Sequence, residues 1–327
     1  MVWEPGVEIS CGLPPGPHFA DHAVLAEHLG YNRIWIFDSA PLWEDPVAHL
    51  AVAATRTSRI GLGAAVLIPT QRSVTAMASS LATIHRLSSG RFRPCFGTGY
   101  TAHMAVGQKP MRLDDFFDYI GALRRLLAGE TAVVNGAAAR MIHAPELASA
   151  RPISIPIWVS VLGPVGNRRA GEVADGTIGP PHPQLPTATM VSGTVLDPGE
   201  SPLSQRVLAA IAPWRVVGWH TAYAVGGPAA VDAKPGGLEW RTALEALAPA
   251  GERHLLTFER HVTGLTARDE TLLDHIDTES AVTGPEGMRA EVRRLSEAGF
   301  CEVIYTPSGP DVPRELRAFM AATTSVR

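Results

Sequence analysis

Lysine is almost missing from this chain: among 28 Lys and Arg residues only Lys109 and Lys234 are lysines, and each stands directly before a proline. A Schiff-base lysine or a Walker phosphate loop ending in Gly-Lys-Ser/Thr therefore has no candidate. Positive charge is short overall, with 32 acidic residues and a formal charge of −4. Nucleic-acid binders carry a basic stripe and anionic-membrane binders a basic face, so neither partner is expected. Cysteine is confined to Cys11, Cys95 and Cys301. An odd number, far apart in sequence, forms neither a disulfide framework nor a Cys-x-x-Cys pair, which points to a reducing, cytoplasmic setting.

Other signals are also lacking. No run reaches the roughly 18 uninterrupted apolar residues of a membrane span, and Met1-Val2-Trp3-Glu4-Pro5-Gly6 has no basic region leading into an apolar one. His18, His49, His103, His182 and His220 are scattered without metal-ligand spacing, and no Gly-x-Ser-x-Gly elbow occurs. Metal is not expected. An enzyme so poor in nucleophile signals borrows its reactivity from an organic cofactor.

What is present is regular alternation. Strand-like runs at Val7 to Gly12, Arg33 to Phe37, Arg59 to Ile68, Arg91 to Gly97, Ile155 to Val161 and Gly176 to Gly179 are separated by stretches of helical period. Those helices span His18 to Leu29, Asp45 as N-cap to about Thr57, Val74 to Leu87, Leu113 to Ala128 and Val165 to Ala174, with a rim hairpin from Thr131 to Ile142. From Pro180 to Gly251 Pro and Gly blur the pattern, apart from a helix at Pro202 to Ala212. A strand at His254 to Phe258, a helix at Pro285 to Ala298, a strand at Cys301 to Tyr305 and a helix at Val312 to Ala322 follow. Parallel neighbours need crossovers, and about eight such units without a linker predict a (β/α)8 TIM barrel. The whole chain, 1–327, reads as one barrel domain, with 180–251 as an insertion or lid over its mouth.

In such a barrel the functional loops follow the strand C-termini. Asp38 and Ser39 end the second strand, where a carboxylate suits a general base or a hydrogen-bond partner, although on these residues alone an ordinary cap or loop aspartate is the simpler reading. Gly97-Thr98-Gly99 with Tyr100-Thr101-Ala102 spells Gly-x-Gly-x-x-Ala, but the first good helix after it starts only at Leu113. Its glycines suit either a phosphate or a tight turn with positive φ. Gly163-Pro164-Val165-Gly166 opens a helix whose N–H groups suit an anion, and Pro164 also fits the first helical turn for structural reasons alone.

The run Arg59 to Ser73, then Ala76 to His85 and Leu87-Ser88-Ser89-Gly90-Arg91-Phe92, resembles the bacterial luciferase-like superfamily of flavin- and F420-dependent oxidoreductases. The likeness continues through Gly97-Thr98-Gly99, Ile155 to Pro164, Arg169 to Gly176, Thr283 to Glu286 and Ala298-Gly299-Phe300. The loop Asp38 to Asp45 and the spacing Pro69-x-x-Arg72 look most like the methylenetetrahydromethanopterin reductase-like, F420-using branch. The resemblance implies a barrel holding a deazaflavin or flavin, with hydride passing between its ring and a small organic substrate. It implies a non-proline cis peptide within Ala64-Ala65-Val66 behind the ring. Asp38 and Ser39 would flank the ring as the catalytic pair, and Gly97, Thr98, Gly99, Ser160, Gly163, Pro164 and Gly166 would hold the cofactor tail. A homodimer is implied as well. Two departures stand out: Ser73-Val74 replaces the usual His-Pro, and Glu44 replaces a common arginine. An FMN-dependent monooxygenase fed by a separate reductase is the alternative, and a non-catalytic flavin-binding or remnant barrel the third reading.

Overall fold

A computed structural model describes residues 7–324; the Met1 to Gly6 stretch lies outside the described residues. The chain divides into two compact units. One runs through Tyr100 and adds Pro110–Met190 and Ser296–Ile304; the other comprises Thr101–Lys109, Val191–Leu295 and the chain from Tyr305 on.

The first unit is built on a closed barrel of eight strands. In chain order they are β1 (Glu8–Leu13), β2 (Arg33–Ile36), β3 (Gly61–Leu67), β4 (Phe92–Gly97), β5 (Trp158–Ser160), β6 (Gly176–Ile178), β7 (Thr187–Val191) and β8 (Glu302–Tyr305). Neighbours from β1 through β7 pair in parallel, and β8 closes the circle between β7 and β1. The expected TIM barrel is therefore present. Helices α1 (Phe19–Leu29), α2 (Pro46–Arg56), α3 (Val74–Leu87), α4 (Leu113–Ala128) and α5 (Pro164–Val173) are the crossovers. Each forms where the sequence repeats apolar residues at helical spacing: α3 buries Met77, Ala78, Leu81 and Ile84, and α4 buries Phe116, Phe117, Ile120, Leu123 and Leu127. Gly30 ends α1 at φ 89, a left-handed cap that glycine adopts without steric cost.

Three expectations are corrected. The stretch His254 to Phe258 is helical, Arg253–Thr257, and the seventh strand is instead Thr187–Val191, inside the region where Pro and Gly hid any period. A five-residue helix, Tyr100–Met104, opens directly after Gly99, where the first helix was expected only at Leu113.

The barrel interior combines an apolar layer with a buried ionic plug. Trp35, Ala65, Cys95, Trp158, Ile178, Ala188 and Ile304 pack together. Beneath them Glu302, fully buried, accepts hydrogen bonds from Trp35 Nε1 at 2.7 Å and Arg93 Nη1 at 2.8 Å. The Arg93 guanidinium lies 4.6 Å from the Trp158 ring centroid, and burial lowers the neighbouring Arg33 to about 10 against the pull of Glu302. The two indoles fit because glycines face them: a Cβ at Gly63 would stand 2.3 Å from Trp35, and one at Gly176 equally close to Trp158. Trp35 cannot move aside without losing Glu302. Gly63→Ala is therefore expected to destabilise the barrel by about 1–3 kcal/mol; an unchanged urea midpoint would show that the indole yields freely.

The second unit is mainly helical: in the blurred region it has helices at Gln205–Arg215 and Gly237–Leu247, and between them the stretch Val217–Asp232, which is two helical pieces separated by a kink at Gly227, φ 66. They bury Val207, Ile211, Trp219, Val231, Trp240 and Leu244 in one cluster. Among the described residues no helix is long and apolar enough to cross a membrane.

Candidate functional site

The C-terminal ends of β2 to β5 bring Asp38, the Ala65–Val66 bond, Gly97 and Ser160 onto neighbouring strands. β2 runs Arg33-Ile34-Trp35-Ile36 with every residue buried, and the chain leaves it through Phe37 into Asp38 and Ser39, which are 4% and 5% exposed. Ser39 fixes the following turn, its carbonyl accepting the N–H groups of Leu42 at 2.8 Å and Trp43 at 3.0 Å. Asp38 turns toward the next strand end. Its Oδ2 accepts from the Ile68 N–H at 3.4 Å and from Arg72 Nη1 at 3.5 Å, whereas Oδ1 is buried with no hydrogen-bond partner.

Burial pushes the Asp38 carboxyl up to about 6, the Arg72 charge and the Ile68 N–H opposing the rise and the nearby Asp45 adding to it. A carboxyl in that range exchanges its proton near neutrality, which is what proton transfer to or from a substrate requires. Arg72 also donates through Nη2 to Asp45 at 2.5 Å. Asp45 in turn caps α2, its Oδ1 accepting from Val47 N at 2.7 Å. One guanidinium thus ties the acidic residue of the mouth to a helix start. Tyr119 steadies the arginine's own backbone, donating to the Arg72 carbonyl at 3.1 Å.

β3 carries Ala64, Ala65 and Val66. The Ala65–Val66 bond is cis, at the place the resemblance indicated, and the β3–β4 register slips between Ala65 and Leu67. Next to it Gly97 is paired with Ser160 across β4 and β5. A Cβ on Gly97 would lie 2.7 Å from Val66 Cγ2, so the glycine lets the bulged strand pack against β4. Gly99 has φ 76, the left-handed turn that the sequence also allowed. Val66, Gly97 and Ser160 therefore lie on three adjacent strands, with Asp38 bonded to the backbone two residues beyond Val66.

Gly163, Pro164 and Gly166 stand apart from that group, at the start of α5. Gly163 is its N-cap and Pro164 its first residue, with no side chain capping the free N–H groups. Nothing lies within 4 Å of a Cβ built on Gly163, whereas one on Gly166 would meet Val161 at 2.9 Å. Gly166 is thus explained by helix packing, and Gly163 leaves its surroundings open.

The two departures have structural outcomes. Ser73 caps α3, its hydroxyl accepting from Ala76 N at 3.3 Å. Glu44 pairs with His49 at 2.8 Å. The residue that sequence reasoning left without a role is Arg72; it was named for its spacing from Pro69, but nothing local announces that its partners lie 34 and 27 positions upstream.

Residues 3–191 match the family described as luciferase-like monooxygenase. The chain belongs to that family. The match covers the strands and loops that carry Asp38, the cis bond, Gly97 and Gly163. Among individual relatives of this luciferase-like chain, a 5,10-methylenetetrahydromethanopterin reductase of Methanolobus tindarius is 32% identical over 170 residues, 50% of this chain and 51% of the relative. An F420-dependent glucose-6-phosphate dehydrogenase of Intrasporangium calvum is 31% identical over 180 residues, 50% of this chain and 54% of the relative. The chain thus spans about half the length of the curated relatives it matches. Over nearly the whole chain the fold is similar to that of an F420-dependent secondary alcohol dehydrogenase in complex with an F420-acetone adduct. There the TM-score is 0.65 and the identity 15%, with 98% of this chain and 99% of the other covered.

Proposed function

We propose that this chain is an oxidoreductase that transfers a hydride between coenzyme F420 and a small organic substrate at the C-terminal mouth of its barrel. The observation that carries the reading is Asp38: a buried carboxyl with one oxygen bonded to the end of β3 and the other without a partner. Relatives with F420 in their names, 29–31% identical over about half the chain, support the choice of cofactor.

The residues present fit such a group. The bulge at Ala64, Ala65 and Val66 would back the ring, and Gly97, Thr98 and Ser160 would help to hold the cofactor tail. Gly99, Gly163 and Pro164 would hold the tail with them, its phosphate suiting the uncapped N–H groups of α5, while Gly166 serves the packing against Val161. When bound, F420 supplies or accepts the hydride. The chain itself handles the proton: the Asp38 carboxylate takes it from a substrate hydroxyl in the oxidative direction, and the carboxylic acid returns it in the reductive one. Arg72 keeps Asp38 in place, and Ser39 fixes the turn that follows it. The reading includes a cytoplasmic location and an isologous homodimer, the commonest closed assembly.

The family description itself favours a second reading, an FMN-dependent monooxygenase served by a separate flavin reductase. A fluorescence titration with oxidised F420 and with FMN separates the two. F420 is expected to bind at least about tenfold more tightly, a difference of about 1.4 kcal/mol. Tighter FMN binding together with substrate-dependent oxygen consumption would establish the monooxygenase instead.

A further inference from the structure

We propose that the second unit carries a binding site of its own for a small organic anion, a molecule with a carboxylate or phosphate head on a compact apolar body. The inference goes beyond the hydride-transfer reading and does not rest on it.

The site is a cavity of about 410 Å³, a size in the range of small-molecule sites. All its lining residues fall within Thr101–Lys109 and Val191–Leu295, so it is formed inside the second unit alone and takes nothing from the barrel strands. Breaks in regular structure shape it. One wall is the turn Gly107-Gln108-Lys109, with Gly107 at φ 69. Another is Tyr223 to Pro228, where the helix is interrupted at Gly227 and Pro228 has no N–H with which to continue the ladder. The short helix Arg253–Thr257 supplies Arg253 and His254. A Cβ on Gly107 would stand 3.2 Å from His254 Nε2, so the glycine lets the imidazole lie against the turn.

The lining is cationic: it includes Lys109 and Arg253, and no aspartate or glutamate. Among the described residues nothing pairs with the Lys109 ammonium, and the His254 ring makes no hydrogen bond. The chain's other lysine is committed, Lys234 lying 4.9 Å from the Trp219 ring centroid. Arg253 is fixed in place, Nε donating to the Ala248 carbonyl at 3.3 Å and Nη1 lying 3.0 Å from Glu245. Glu245 also takes Arg241 at 2.9 Å and the Tyr223 hydroxyl at 3.0 Å, and Arg241 bonds Asp232 at 2.7 Å. Those two arginines and two carboxylates balance, so the surplus charge of the cavity is that of Lys109. An anionic head exchanges its water for charge-assisted hydrogen bonds there, whereas a cation meets like charge. Met104, Pro228 and Ala250, with the Tyr223 ring set edge-on to Trp240 at 5.8 Å, offer apolar surface to the rest of the ligand.

The test is isothermal titration of the full chain without cofactor, using phenylacetate, phenyl phosphate and the neutral isostere phenylacetamide. At least one of the two anions is expected to bind about tenfold or more tightly than phenylacetamide; the tighter of the two tells a carboxylate head from a phosphate head. The gap should narrow as salt is raised. Lys109→Gln should remove most of it, whereas Lys234→Gln, which takes away the same charge outside the cavity, should leave it. Lys109 is exposed, so its variant should keep the wild-type urea midpoint. Equal affinity for the anions and phenylacetamide would overturn the proposal. So would a gap that survives in Lys109→Gln or is lost equally in Lys234→Gln, or failure of both anions to saturate below about 10 mM. The titration is then repeated with saturating F420. Anion binding that persists supports a separate site, and binding that F420 abolishes would assign the anion to the cofactor's own site and overturn the proposal. If F420 itself does not bind, the hydride-transfer reading falls and the two lysine variants alone decide the anion site.

Discussion

Asp38→Asn is expected to lower turnover with F420 by about 10²–10⁴-fold, the usual worth of a positioned acid or base, while leaving F420 affinity unchanged. Asparagine has nearly the same shape and keeps an oxygen for the Ile68 N–H, but it cannot take up or release a proton. The pH profile sharpens the test. Burial raises the Asp38 carboxyl to about 6 from an ordinary value of 3.8, against the opposing Arg72 charge, so the folded protein holds this proton until the pH climbs through about 6. The oxidative rate, which needs the carboxylate, should rise through about pH 6 and then level. The reductive rate, which needs the acid, should fall over the same range. In Asp38→Asn both limbs should be missing. A variant with wild-type turnover, or one that keeps the limb near pH 6, would remove Asp38 from the chemistry whatever the cofactor is.

Why the strand-end position of Asp38 was legible in the sequence, and the partners of Arg72 were not, follows from how each is encoded. A strand of four buried residues that ends in Asp-Ser declares a carboxylate at a strand end, and in a parallel barrel every such end faces the same rim. Local pattern also sufficed for Val74–Leu87 and Leu113–Ala128, whose apolar spacing gives the observed bounds, and for Asp45, which caps α2 as its place before Pro46 implies. Arg72 has no such mark. Its partners are fixed by the closure of β2 beside β3, a tertiary event. The same holds for the Trp35–Glu302 bond, which joins residues 267 positions apart, and which makes a glutamate in the last strand a core residue against the usual rule for charged side chains.

Short segments fail for a different reason. His254-Leu255-Leu256-Thr257-Phe258 is apolar over too few residues to show a period, so strand and helix are equally consistent with it; packing within the second unit makes it a helical turn. Thr187–Val191 has β-branched residues at 187, 189 and 191, a fair strand signal, but prolines on its N-terminal side made the stretch look like loop. The barrel needs an eighth strand to close, and that global demand selects Thr187–Val191 where local propensity does not.

Asp269→Ala is expected to lower the unfolding free energy by about 3–5 kcal/mol, the cost of removing a buried carboxylate from the donors that pair with it. Asp269 is fully buried and His220 is 1% exposed. The carboxylate accepts from four donors: His220 Nε2 at 2.9 Å, Trp240 Nε1 at 2.8 Å, and the Thr266 amide at 2.9 Å and hydroxyl at 2.7 Å. Those donors come from two different helices and from the turn that Asp269 itself helps to cap, so a single side chain joins three segments of the second unit. The rings are packed as well, His220 stacking on Trp240 at 5.4 Å. Burial alone would raise the Asp269 carboxyl, yet the hydrogen bond and charge of His220, with the Thr266 amide and Trp240, outweigh it and hold the group well below the usual aspartate range. For a depressed carboxyl the stabilisation is complete above the unfolded value and is lost only as pH falls toward the folded one. The deficit of Asp269→Ala should therefore be whole at neutral pH and should shrink only in strong acid. Asp269→Asn, which keeps one acceptor oxygen, should fall between the variant and the wild type. Urea unfolding followed by the fluorescence of the second unit's Trp219 and Trp240 reads the difference, and an alanine variant within about 1 kcal/mol of wild type, the range of an exposed ion pair, would mean that this hub does not hold the unit together.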